Sequence, residues 1–222
     1  MNYISVAIDG PAGAGKSSVS KAVAKALGYV YIDTGAMYRA VALYAIRNGI
    51  ISDTQKIIDA LDDIKIEIKY SDSGQLILLN GEDVTLDIRQ EEVSKGASSV
   101  AVIGEVRKKL VKMQQEMAKH DNVIMDGRDI CSVVLPDAQV KIFLTASADA
   151  RAQRRYKELV EKGVECDLET IKEDIIARDY NDSHRSESPL VKTDDAVLVD
   201  TSDCDFDESV RRIQEIITKT VG

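Results

Sequence analysis

Ile4-Ser5-Val6-Ala7-Ile8-Asp9-Gly10-Pro11-Ala12-Gly13-Ala14-Gly15-Lys16-Ser17-Ser18 is the stretch on which the fold turns. A short apolar run leads into a loop of small residues, and the loop leads into a helical pattern. Gly10 to Ser17 matches G-x-x-x-x-G-K-[ST] at every fixed position. Small residues let successive backbone N–H groups turn inward around phosphate oxygens. The helix that follows offers its unsatisfied N–H groups and positive dipole end to the same anion. Lys16 adds a point charge at the β- and γ-phosphates, and the Ser17 hydroxyl is a ligand for Mg²⁺. A glycine-rich turn that binds nothing is the plainer alternative, but motif and context agree against it. Gly10, Pro11, Ala12, Gly13, Ala14, Gly15, Lys16, Ser17 and Ser18 therefore form the candidate ATP site. The motif does not name the acceptor.

Outward from the loop, short apolar runs alternate with amphipathic helical stretches, the pattern of an α/β protein with a parallel sheet. Ile4–Ile8, Val30–Ile32, Val123–Met125, Val140–Leu144 and Ala196–Val199 read as buried strands without polar alternation. Val19, Ala22, Val23, Ala26 and Leu27 recur at helical spacing, and Gly28 supplies a stop. Helices are also expected over Met37–Asn48, ending at Gly49, over Val106–His120, and over Asp149–Lys162 with Ser147 as N-cap. One region departs from this pattern. Ile64, Ile66 and Ile68 alternate with Lys65, Glu67 and Lys69; a turn at Ser71-Asp72-Ser73-Gly74 leads to Leu76–Leu79, then to Asn80-Gly81. This predicts an antiparallel hairpin with one exposed face.

The chain has 222 residues, 44% of them hydrophobic, with no Trp and two Phe. That suits one domain over 1–222 with insertions and an aliphatic core. A net charge of −9 argues against bulk binding to nucleic acid or anionic lipid. Cys131, Cys166 and Cys204 are odd in number and far apart, which fits a reducing compartment rather than a disulfide frame or zinc knot. His120 and His184 are isolated. Ile4–Ile8 is too short for a signal peptide, and no run approaches the roughly 18 apolar residues of a membrane span. A soluble, cytoplasmic monomer is expected, with no nucleic-acid or membrane partner.

A transferase that joins two anions needs positive charge around the transferred group. Arg151, Arg154 and Arg155 fall at i, i+3 and i+4, and Arg178, Asp182 and Arg185 at i, i+4 and i+7. Taken alone, each set reads as a solvated face with ordinary ion pairs. The phosphate loop shifts that balance. Arg128 and Asp129 follow Asp126-Gly127 at the C-terminal end of a strand, where ligands of open α/β sheets collect. Asp126 either holds a Mg²⁺-bound water or caps a loop. Arg47, Arg89, Arg211 and Arg212 lack such context and read as surface. Tyr29 and Tyr31 read as packing, and His184 as exposed. A GTPase-type switch predicts an N-K-x-D motif, which the sequence lacks. A nucleotide-binding assembly protein predicts no rapid transfer, and kinases of other small acceptors such as shikimate differ in the acceptor used.

Ile8 to Ser17, together with Asp33-Thr34-Gly35-Ala36-Met37-Tyr38-Arg39, resembles bacterial cytidylate kinases. The resemblance continues through Asp126-Gly127-Arg128-Asp129, Val140–Leu144 and Arg178-Asp179 to Asp182, Arg185 and Pro189-Leu190, and so spans nearly the whole chain. It implies a P-loop sheet flanked by helices, an NMP-binding insertion at 39–100 containing the hairpin, and a helical lid at 148–188. It also implies ATP-dependent phosphorylation of CMP and dCMP with Mg²⁺. Carried over by residue, Arg39, Arg128 and Arg185 hold the acceptor phosphate with Thr34 and Tyr38 nearby. Ser98 (or its neighbour Ser99), Arg107 and Asp129 read cytosine, and Arg178 and Asp182 approach the sugar. Lys16 and Arg128 serve the transfer, with Arg154 or Arg155 reaching in from the lid. The base assignment suits the chemistry. A carboxylate accepts from the cytosine amino group and a guanidinium donates to its acceptors. With uracil both groups face the wrong partner, and such mismatches discriminate by factors of up to about 10⁴.

Overall fold

The computed structural model describes residues 3–71 and 74–222. In chain order the elements begin with β1 (Ser5–Asp9), α1 (Lys16–Leu27), β2 (Val30–Asp33), α2 (Thr34–Arg47) and α3 (Thr54–Asp59). Then come β3 (Ile66–Ser71), β4 (Gly74–Leu79), β5 (Glu82–Asp83), α4 (Glu91–Val100) and α5 (Gly104–Met117). The remainder is β6 (Val123–Gly127), β7 (Val140–Thr145), α6 (Ala148–Glu161), α7 (Leu168–His184), β8 (Val197–Asp200) and α8 (Phe206–Val221). A π-helical turn, Ile130–Val134, follows β6. The chain divides into two compact units, one of Met1–Tyr31 with Ala118–Gly222, the other of Ile32–Met117.

The first unit is built on a five-stranded sheet of order β2-β6-β1-β7-β8. β1 lies parallel to both β6 and β7, with Val6 opposite Ile124 on one side and Val140 on the other, and β7 lies parallel to β8. Val6, Ala7 and Ile8 are fully buried. A strand covered on both faces has no reason to alternate, which is why Val6–Ile8 of β1 and Val123–Met125 of β6 are continuously apolar. β8, expected as a buried strand, is instead an edge strand with Val197 and Leu198 exposed. Val19 and Val23 of α1 and Ile213 and Ile217 of α8 pack with Ile124, Ile142 and Leu144 into an aliphatic core. α1 runs between two left-handed glycines, Gly15 at φ 88° and Gly28 at φ 69°, a conformation that costs glycine little. Ser147 caps α6 as expected, its side chain accepting from the Ala150 N–H.

The second unit packs α2 against α4 and carries the three-stranded antiparallel sheet β3-β4-β5. Ile66 pairs with Leu79 and Ile68 with Ile77, so the apolar face of the alternation turns toward Met37, Val41, Ile57, Ile88 and Leu110. The tip expected at Ser71 to Gly74 falls on Asp72 and Ser73, outside the described residues. Asn80 (φ 51°) and Gly81 (φ 87°) make the second tight turn, and it leads into the short third strand β5, so the predicted hairpin is one strand too few. Among the described residues no helix is long and apolar enough to cross a membrane.

Candidate functional site

In the first unit, the loop after β1 is shaped by close approach. A Cβ at Gly10 would stand 1.9 Å from the Leu144 carbonyl oxygen of β7, so no other residue fits there. Lys16 is buried, and its ammonium donates to the carbonyls of Gly10 (2.7 Å) and Pro11 (2.8 Å). Burial and the nearby Arg128 charge pull its pKa below the lysine range, against the charges of Asp126, Asp9 and Asp182.

The Ser17 hydroxyl donates to Asp126 Oδ2 at 2.8 Å, and the Tyr31 hydroxyl donates to Oδ1 at 2.8 Å. Asp126 is the penultimate residue of the fully buried strand β6, so the strand delivers its carboxylate to the first turn of α1. Tyr31, read from sequence as packing, is also a hydrogen-bond partner that orients this carboxylate. A hydroxyl and a carboxylate at this distance are hard oxygen donors of the type Mg²⁺ takes. Behind the loop, Asp9 is fully buried and accepts from the N–H groups of Ile130 (2.9 Å) and Cys131 (2.7 Å). Desolvation raises its pKa, and those two backbone bonds oppose the shift.

The same turn presents Arg128 and Asp129. Arg128 Nε donates to Asp182 Oδ2 at 2.7 Å, and Nη1 to the Gly127 carbonyl at 3.2 Å. Burial works to raise the Asp182 pKa, yet Arg128, Arg178 and Arg185 outweigh it and hold the carboxyl below its usual range. Asp129 is buried and lies 4.0 Å from the Arg185 guanidinium, whose Nε donates to the Ser188 carbonyl. The i, i+4, i+7 spacing thus marks a true face: α7 reaches His184, and Arg185 stands at its C-cap. His184 is exposed and stacks on Tyr180.

The arginines of α6 behave differently from one another. Arg154 is half-buried and donates to the carbonyls of Thr201 and Cys204 beyond β8. Arg155 is exposed and pairs with Glu158 at 2.9 Å. Arg151, assigned no role from sequence, is the buried member of the set, bonded to the Ala12 and Ala146 carbonyls and to Asp179. Nothing in the i, i+3, i+4 spacing singles it out.

In the second unit, Asp33 caps α2, its carboxylate accepting from the Ala36 N–H (2.9 Å) and from Arg39 Nη2 (2.8 Å). Thr34, Tyr38 and Arg39 thus sit on the first two turns of one helix, Thr34 buried and the other two half-buried. Arg107 of α5 is buried; it donates to the Ala101 carbonyl at 3.0 Å and lies 5.6 Å from the Tyr38 ring centroid. That stacking joins two expected acceptor residues from different helices. Ser98 and Ser99 on α4 are both exposed. Arg47 spans Glu82 and Asp87 on the surface, as its lack of context suggested.

A family model described as cytidylate kinase matches residues 6–219. The cytidylate kinase of Leuconostoc mesenteroides is 52% identical over 223 residues, covering 100% of both chains. That of Caldicellulosiruptor saccharolyticus is 51% identical, covering 100% of this chain and 99% of its own. Among solved structures, an uncharacterized protein from Eubacterium ventriosum superposes with a TM-score of 0.54 at 12% identity, covering 97% of this chain and 98% of that one, a likeness of fold alone. A phosphate loop set against the β6 carboxylate and the arginines of α7, in a chain matched along its length at half identity, has one consistent reading: the protein belongs to the cytidylate kinase family.

Proposed function

We propose that the protein transfers the γ-phosphoryl group of ATP to CMP and dCMP, giving ADP and the cytidine diphosphates. The observation that carries the acceptor is full-length kinship at about half identity with proteins named cytidylate kinase. Transfer is in line, and the protein's part is placement and charge neutralisation rather than covalent catalysis. Lys16, which donates to two loop carbonyls here, takes the triphosphate as its partner instead. Ser17 and Asp126 suit Mg²⁺, Ser17 as ligand and Asp126 through a bound water; the ion supplies charge neutralisation at the β- and γ-phosphates.

Arg39, Arg128 and Arg185 bind the acceptor phosphate, with Thr34 and Tyr38 beside it. Arg107, Asp129 and Ser98 bind the base, and Arg178 and Asp182 the sugar. The buried Asp129 carboxylate supports this, because a desolvated acceptor discriminates strongly against a base that offers it no donor. Residues 39–100 act as the NMP-binding insertion. Residues 148–188 act as a lid that excludes water, and Arg154 and Arg155 move with it. The three free thiols fit a reducing cytoplasm, and the acidic chain works as a monomer without nucleic acid or membrane.

ADP release from Mg-ATP, with CMP, dCMP, UMP, AMP, GMP and shikimate supplied in turn, tests the reading. Fast release is expected with CMP and dCMP. Release with AMP, GMP or shikimate in their place would replace the acceptor and discard the base-binding roles.

A further inference from the structure

Arg151 is 5% exposed, and its guanidinium meets three separate parts of the first unit. Nε donates to the Ala146 carbonyl (2.8 Å), just past β7. Nη1 donates to the carbonyl of Ala12 (3.0 Å), inside the phosphate loop, and to Asp179 Oδ1 (3.0 Å). Nη2 closes a bidentate pair with Asp179 Oδ2 at 2.6 Å. The stem is engaged too, since a Cβ at Gly13 would lie 3.5 Å from the Arg151 Cβ and 3.8 Å from its Cγ. Asp179 stands on α7 between Arg178 and Asp182, and Asp182 holds Arg128. An unbroken path therefore runs from the Ala12 carbonyl through Arg151 and Asp179 into the helix that carries Asp182.

We propose that Arg151 and Asp179 form a latch that positions the phosphate loop, so that α7 sets the loop's affinity for nucleotide. Asp179 reaches the loop only through Arg151 among the described contacts. A buried guanidinium that loses its carboxylate partner cannot stay in place unchanged; it swings toward water or toward other acceptors. Either movement withdraws the bond that fixes Ala12, and with it the inward set of the loop N–H groups. Lysine at 151 would keep the charge but not the planar fork that engages Ala12 and Asp179 together.

The test uses a non-hydrolysable ATP analogue with Mg²⁺ and no acceptor, titrated calorimetrically well below the melting midpoint. It rests on the phosphate loop alone, so failure of the CMP reading, seen separately in the acceptor panel, leaves it standing. Asp179→Asn and Arg151→Lys should each weaken the analogue by about tenfold, the size of one lost charge-assisted hydrogen bond. The double variant should be no weaker than the worse single one, because both break the same connection. Asp179→Glu, which keeps the charge and moves it by one methylene, replaces the Asn variant if that fails to fold, and should weaken the analogue by about threefold or more. Wild-type affinity in the Asp179 variant with only a lowered melting midpoint would overturn the latch, leaving Arg151 a purely structural residue. So would losses that multiply in the double variant.

Discussion

Asp9 touches no ligand in this account, yet it ties the end of β1 to the turn that presents Arg128 and Asp129. Its two oxygens take one backbone N–H each, from Ile130 and Cys131. Asparagine has a single carbonyl oxygen and would set its NH₂ against the second N–H. Leaving a buried donor unmet costs about 1–3 kcal/mol, so Asp9→Asn should be destabilised by that amount and lose at least about tenfold in kcat. The pH dependence has a definite sign. Because the native pKa is raised above 3.8, the folded chain holds the Asp9 proton more tightly than the unfolded chain. The stability from that proton is present below 3.8 and lost as pH rises through the native value. The deficit of Asp9→Asn against wild type should therefore shrink as pH is raised from below 3.8; urea midpoints across pH measure it, and a growing deficit would contradict the assignment. Beside it, the Cys131 thiol is buried and its pKa is driven far up, first by desolvation and then by the Asp9 charge. A thiol reagent at mild alkaline pH should label Cys166 and Cys204 in the native protein and Cys131 only after unfolding.

At the scale of elements, two glycines carry opposite expectations. Gly10 sits where β1 passes the Leu144 carbonyl, and an added Cβ at 1.9 Å strikes backbone. Gly10→Ala must therefore displace a core strand, and nucleotide binding should be lost with it. Gly96 lies in mid-helix on α4, where an added Cβ would meet Ala42 Cβ at 3.3 Å and the tips of Ile46 and Ile51 at 3.4 and 3.5 Å. Those isoleucine tips can give way, the Ala42 Cβ must yield by a few tenths of an ångström, and alanine gains about 1 kcal/mol of helix propensity over glycine to offset that shift. Gly96→Ala should leave the melting midpoint within a few degrees of wild type, whereas Gly96→Leu should cost about 1–3 kcal/mol by overpacking α2 against α4. The same residues explain what the sequence concealed. Gly96 and the serines around it weaken the helical signal of α4, and packing against α2 supplies what propensity does not. α8 escapes the reading although Asp205, Glu208 and the Val210, Ile213, Ile217 spacing all announce it. The central strands β1 and β6 were legible because, covered on both faces, they stay apolar over Val6–Ile8 and Val123–Met125, and the hairpin because it is covered on one. β8 was legible as an apolar run, but its place at the exposed sheet edge was not.

At the scale of the whole molecule, the site divides into what motifs announce and what only folding brings together. Lys16, Ser17, Arg128, Asp129, Asp182 and Arg185 stand in sequence patterns with a chemical reason. Two contacts behind them, to Asp126 and to Ala12, do not. Tyr31 reaches Asp126 across 95 positions, and Arg151 reaches Ala12 across 139. Such pairings follow from strand order, which places β6 and β7 on either side of β1. The net charge of −9 is spread over the chain, while six of its twelve arginines, Arg128, Arg151, Arg154, Arg155, Arg178 and Arg185, lie on α6, on α7 with its C-cap, and in the turn after β6. An acidic protein can therefore still hold a local cationic site. Arg128→Ala should leave ATP-analogue affinity within about threefold of wild type while lowering kcat by at least about a hundredfold, since a guanidinium at the transferring group acts on the transition state. Unchanged turnover would remove Arg128 from the site.

Whether the enzyme reads cytosine is decided by letting CMP and UMP compete in one reaction with Mg-ATP and following both diphosphates. The initial rates give the ratio of kcat/KM. If Asp129 and Arg107 read the base as proposed, CMP is preferred by about a hundredfold or more. Equal specificity constants for the two acceptors would contradict it.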